Sequence, residues 1–167
     1  MSGRDPFEQL ARSHRRLEEL LDALQTSASD PDLLRDAAAF FARNVRRHEE
    51  DEERSLFPRL AGRAELAPLV ERLTREHREH ERLHAELDAI VQELDRGAAP
   101  SGARIDTLVD ALVGAYRDHV QVEERELFPA AQRVLVASDL AAMAAEMDAR
   151  RGGGGGGGGG RRRSEPT

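Results

Sequence analysis

Two stretches of this chain match residue by residue, and each carries polar side chains where a helix would carry its core. His48-Glu49-Glu50-Asp51-Glu52-Glu53-Arg54-Ser55-Leu56-Phe57-Pro58 recurs 71 positions later as His119-Val120-Gln121-Val122-Glu123-Glu124-Arg125-Glu126-Leu127-Phe128-Pro129. The shared frame is H-x-x-x-E-E-R-x-L-F-P. Residues four apart on a helix lie one turn from each other on one face. His48 and Glu52 therefore sit together, on a stripe continued by Phe41, Val45 and Leu56. His119 and Glu123 sit the same way, below Leu112. Burying a carboxylate without a partner costs on the order of several kcal/mol. A fold that turns both stripes inward must therefore bring the two Glu a partner.

The rest of the chain supplies that fold. Phe7, Leu10, His14, Leu17, Leu21 and Leu24 recur at alternate steps of three and four, which is one stripe of a helix. Ser29, Asp30 and Pro31 break it, with Asp30 placed as an N-cap and Pro31 at the first helical position. A second helix carries Leu34, Ala38, Phe41, Val45, His48, Glu52 and Leu56, and Pro58 ends or kinks it. A third begins near Leu66 and carries Leu69, Leu73, His77, His80, His84, Leu87, Val91 and Leu94. After Gly97, Pro100 and Gly102, a fourth aligns Ile105, Leu108, Leu112, Ala115, His119, Glu123 and Leu127. A shorter fifth runs from about Ser138 to Ala149. No segment alternates with the period of a strand. The expectation is an all-α protein: an antiparallel up-down four-helix bundle built from two helical-hairpin repeats, plus a short C-terminal helix.

In that reading His14-Arg15-Arg16-Leu17 pairs with His80-Glu81-Arg82-Leu83, so each hairpin has a His on its first helix and a His with a Glu on its second. The bundle domain spans residues 1–149, and a disordered Gly/Arg tail spans 150–167. Nine consecutive Gly, Gly152 to Gly160, cannot bury apolar area. The net charge of −7 divides accordingly: the tail holds five Arg and one Glu, leaving −11 on residues 1–149. An acidic body repels nucleic-acid phosphate, so no nucleic-acid partner is expected for the bundle. The apolar runs are too short to span a bilayer, and Met1 to Phe7 has no signal-peptide core, so a cytoplasmic protein is the expectation.

With no Cys among 167 residues, a thiolate nucleophile, a Cys-ligated zinc and a Cys-ligated cluster are excluded. Six His remain. Imidazole and carboxylate together suit iron, manganese or zinc. A metal supplies the positive charge that makes buried Glu tolerable, and two carboxylates from opposite helices can each bridge two ions.

At these residues the chain resembles the hemerythrin-like (HHE cation-binding) domain family: His14; His48 and Glu52 with Leu56-Phe57-Pro58; His80 and His84; His119 and Glu123 with Leu127-Phe128-Pro129. The resemblance covers about residues 7–149. It implies a non-haem di-iron centre, oxo- or hydroxo-bridged, inside a four-helix bundle. His14 and His48 would bind one iron and His80, His84 and His119 the other, with Glu52 and Glu123 bridging. That leaves one iron an open position for dioxygen, peroxide or nitric oxide. Without His84 both irons are five-coordinate, as in relatives linked to redox chemistry, nitric oxide or iron handling. Sensing, storage or redox and iron homeostasis follow as roles, with binding favoured over enzymatic turnover. The oxygen carriers of the family use an Asp as last bridge, one residue further along than Glu123. His77 is the surplus His, read as a rim residue. Phe57 and Phe128 are read as closing the core, and Tyr116 as a boundary residue.

Two other readings compete. His80-Glu81-Arg82-Leu83-His84 is a literal H-E-x-x-H, the zinc metallopeptidase signature, though no strand precedes it and Leu87 stands where the longer motif needs Gly. A metal-free helical interaction module is the other. A ferritin-like carboxylate centre fails by count, since Glu81-Arg82-Leu83-His84 is the only Glu-x-x-His present.

Overall fold

The structure, a computed structural model, describes residues 4–152. The expected disordered Gly/Arg tail lies outside these residues from 153 onward. Five helical stretches account for the described chain, and none of these residues forms a strand. Helix α1 is Pro6–Ser27, α2 spans 31–60, α3 is Ala67–Asp95, α4 spans 102–134 and α5 is Ala137–Gly152. Their starts follow local chemistry. Asp5 and Asp30 each accept a backbone N–H two residues on, ahead of Pro6 and Pro31, and Ser101 accepts from Arg104 N–H. Gly97, at φ +79°, takes the left-handed conformation that releases the chain after α3.

Helix α1 packs on α2 and α4, and α3 packs on the same two, so the four long stretches enclose one interior. That interior has three layers. One apolar end contains Leu21, Leu24, Leu34, Phe41, Leu87, Ile90 and Leu112. The other contains Leu10, Leu56, Phe57, Leu60, Leu73, Leu127 and Met143. Each fully buried side chain of this size contributes roughly 1.5–3 kcal/mol. Between the two ends lies a polar layer with five of the six His and both repeat Glu, all buried.

The repeat frames do not form ordinary α-helix. Both open into one wide π turn, Glu52–Leu56 in α2 and Glu123–Leu127 in α4. Pro58 and Pro129 follow immediately and lack the N–H that an α ladder would use there. Neither Pro ends its helix, which continues to Leu60 and Val134 respectively. With i→i+5 bonding, residues five apart share a face, so Glu52 turns inward together with Phe57, and Glu123 with Phe128. Helix α2 has a further wide turn, Phe41–Val45, for which α4 has no counterpart.

The C-terminal helix outruns its expected end at Ala149, and its last residues are anchored. Asp51, fully buried, accepts from Arg150 Nε at 2.7 Å and from an Arg151 guanidinium N–H at 2.7 Å. Glu146 takes Arg59 at 2.8 Å and the Ser55 hydroxyl. Arg150 and Arg151 therefore belong to the folded body rather than to the tail. No described helix is long and apolar enough to cross a membrane.

Candidate metal centre

Within the polar layer four elements each bring one imidazole to a common cluster: His14 from α1, His48 from α2, His77 from α3 and His119 from α4. The Nε2 atoms converge in pairs, His14 to His48 at 3.0 Å and His77 to His119 at 3.1 Å. Two carboxylates lie between the pairs, and each divides its oxygens. Glu52 places Oε1 3.2 Å from His48 Nε2 and Oε2 3.4 Å from His77 Nε2. Glu123 places Oε1 2.9 Å from His119 Nε2 and Oε2 3.1 Å from His14 Nε2. The result is two clusters of four donors, His14-His48-Glu52-Glu123 and His77-His119-Glu52-Glu123, sharing both Glu.

The chemistry of this donor set fits cations. Both Glu are fully buried, and none of their four oxygens makes a hydrogen bond of acceptable direction despite the close imidazoles. Burial acts to raise both carboxyls, and for Glu123 the neighbouring Glu52 adds to it. The imidazoles prevail, His48 and His77 pulling Glu52 well below the usual range and His119 and His14 lowering Glu123. In return, although burial opposes it, His77 is held up to about 11 by Glu52 and Glu53, and His119 to about 9 by Glu123 and Glu76. His14 is raised in the same way, against burial, by Glu123.

Outward-facing nitrogens are fixed by a second ring of acids. His14 Nδ1 meets Glu124 at 2.9 Å, His77 Nδ1 meets Glu53 at 2.8 Å and His119 Nδ1 meets Glu76 at 2.7 Å. A carboxylate on the far nitrogen sets the tautomer and ring orientation of a ligating His. Phe128 stacks on His14 with centroids 5.5 Å apart, and Phe57 on His77 at 5.6 Å. These two Phe touch the imidazoles directly as well as closing the core.

The structure thus brings together His14, His48, Glu52, His119 and Glu123 as the sequence suggests, but it places His77 where His80 and His84 were expected. His80 instead directs Nδ1 to Glu49 at 3.2 Å, with its ring edge-on to His119 at 4.8 Å. His84 Nε2 lies 2.6 Å from the Tyr116 hydroxyl, which donates to Glu49 at 3.4 Å. Tyr116 is a core residue, 2 % exposed and stacked on His80. The H-E-x-x-H pair does not converge, and Glu81 is exposed. The register seen in the structure was readable: Phe7, Leu10 and His14 repeat as Val70, Leu73 and His77, each 63 positions on. The pairing of His14 with His80 followed the Leu residues after the His rather than the apolar residues before it. Glu76, which the sequence reading passed over, immediately precedes His77.

Buried, paired imidazoles sharing two carboxylates define a metal-binding helical protein. The chain belongs to the family of the hemerythrin HHE cation binding domain, whose model matches residues 5–131. No match was found among curated proteins or among solved structures.

Proposed function

We propose that this protein is a non-haem di-iron protein of the hemerythrin type that binds dioxygen, or a related small ligand such as peroxide or nitric oxide, for sensing, storage or redox and iron homeostasis. The observation that carries the reading is the division of oxygens: each buried Glu gives one oxygen to each imidazole pair. One cation bound by either pair would leave two carboxylate oxygens facing the other pair with no metal ion between them. We take the four long helices as an up-down antiparallel bundle of two hairpins, which puts His14 and His77, and His48 and His119, in equivalent places.

His14, His48, Glu52 and Glu123 would hold one iron, and His77, His119 and the same two Glu the other. Bound iron would supply one-electron redox chemistry and positions at which a small ligand attaches. The chain's own residues set the conditions for it. Glu124, Glu53 and Glu76 orient three of the imidazoles and make them more basic. Phe57, Phe128 and the apolar layers on both sides keep water from the donors. Tyr116 and Glu49 hold His80 against His119, so that its ring, its proton affinity lowered by burial, fills the layer.

The test is expression with added iron, metal counting, and visible spectra under air and under nitrogen. Two irons per chain and a spectrum that changes reversibly as oxygen is removed and returned are expected. Fewer than one metal ion per chain, unchanged in Glu52→Ala, would sink the proposal.

A further inference from the structure

The two imidazole pairs are wired alike except at one nitrogen. His14, His77 and His119 each have a Glu on Nδ1. His48 Nδ1 is buried and has no hydrogen-bond partner. The repeat shows what differs. Glu76, the partner of His119, stands immediately before His77, and the residue immediately before His14 is Ser13. Its side chain is short, and its hydroxyl turns to the Gln9 carbonyl at 3.4 Å.

A cavity of about 70 Å³ is lined in part by His48, the residue that carries the unmatched nitrogen. Ser13, Arg16, Asn44, Arg47, His48 and Arg151 border it, and no carboxylate does. The wide turn Phe41–Val45, present only in the first half, contributes Asn44 and Val45 to its wall. Arg151 is fixed from behind by Asp51 at 2.7 Å, so one guanidinium is positioned in advance. Three Arg, an Asn, a Ser and His48 share the wall with Leu17, Phe40 and Val45, and of the three Arg only Arg151 has its carboxylate, Asp51, outside the lining among the described residues. A water occupies ~30 Å³ of liquid, so the space takes about two waters, or one small ion in their place.

We propose that this cavity is a binding site for a small planar oxyanion: a carboxylate of formate or acetate size, or its inorganic analogues nitrite and bicarbonate. The anion accepts the His48 Nδ1–H and charge-assisted bonds from the guanidinium groups. It takes the part that Glu76 plays for His119. The assignment rests on reading His48 as a ligand through Nε2, which leaves the ring proton on Nδ1. One metal position then depends on an anion from solution, while the other carries its own carboxylate.

Isothermal titration of the full chain with formate, acetate, nitrite and bicarbonate, at ionic strength held constant with chloride, tests this. One-to-one saturable binding is expected, and the tightest of the four identifies the source. Ser13→Glu restores the tethered carboxylate and should weaken binding at least ten-fold, as should Arg47→Gln, whose exposed position makes it safe for folding. No saturable binding, or binding that both substitutions leave unchanged, overturns the assignment. Metal is counted in the same samples. Two metal ions per chain without anion binding sinks this inference and leaves the proposed function standing. Anion binding lost in both variants of a chain that takes up no metal does the reverse.

Discussion

The first and second halves of the molecule present the same donors, two imidazoles and a shared pair of carboxylates, but support them differently. On the His77–His119 side every outer nitrogen has its own Glu. On the His14–His48 side only one has, and His48 lines a cavity bordered by Arg16, Arg47 and the anchored Arg151 of α5. Equal donors with unequal supports teach that the repeat keeps the donor geometry while the surroundings of each half differ. The second half has its orientation built into the chain, and the first leaves one part of it to the surroundings.

The largest test of this comparison removes what the halves share. Glu52→Ala should abolish uptake at both positions, because each loses an oxygen, and metal counting should find less than one ion per chain. Glu52→Gln, which keeps the shape, should restore folding but not stoichiometry. Next in size, His77→Ala should empty one position as thoroughly as His14→Ala empties the other. His80→Ala and His84→Ala should both retain two ions per chain. If His80→Ala behaved like His77→Ala, the assignment of donors to the second half would be wrong.

Asp51→Asn addresses the support found only in the first half. It deprives two half-buried arginines of their buried carboxylate, and a loss of about 2–3 kcal/mol is expected. That is below the ~3–5 of a fully buried pair, because Arg150 and Arg151 keep some contact with water. Thermal melting should register it as a drop of roughly 5–10 °C. Smaller still, Glu76→Gln should weaken metal retention in the second half by ~10-fold, the lower end for an outer partner of a ligating His. A chelator competition that removed both ions equally would show that the two supports are equivalent after all.

The last test is by pH on the metal-free chain. His77 and His119 have folded values of about 11 and about 9, raised above the ordinary 6.5. Their contribution to stability is fully present below pH 6.5 and is lost as pH rises through those folded values. The metal-free chain should therefore melt at lower temperature at pH 9.5 than at pH 7. The metal-loaded chain, whose ligating imidazoles have already given up their protons, should melt with little change. Equal alkaline sensitivity in both forms would count against His77 and His119 as ligands.

Much of this was legible in the chain beforehand. The periodic stripes located the five helices, and Asp30-Pro31 marked the start of α2 correctly. The duplicated frame disclosed His48, Glu52, His119 and Glu123, since no other pattern repeats so closely. The choice among His77, His80 and His84 was harder for a geometric reason. Steps of three and four on a helix of ~3.6 residues per turn keep all three within one broad face. They differ mainly in height, by ~1.5 Å per residue, and height is fixed by where Glu52 and Glu53 reach across from α2. The roles of Glu53, Glu76 and Glu124 were hidden similarly, because an acid flanking an inward stripe reads as solvated until the partner helix is in place. The wide turns leave no periodic signature of their own. Only the Pro after each frame hints at a broken ladder.

The anchoring of Asp51 by Arg150 and Arg151 also has a consequence for the order in which the chain assembles. That contact joins residues about 100 apart, and His14 reaches Glu124 across 110. The second half is wired at much shorter range, with His77 to Glu53 across 24 positions and His119 to Glu76 across 43. Longer loops cost more entropy to close, and distant contacts form later in folding. The His77–His119 side should therefore acquire protection first in pulse-labelled hydrogen exchange, and the His14–His48 side last, when α5 docks. The half that leans on its surroundings in the finished protein is thus also the half that waits for the end of the chain.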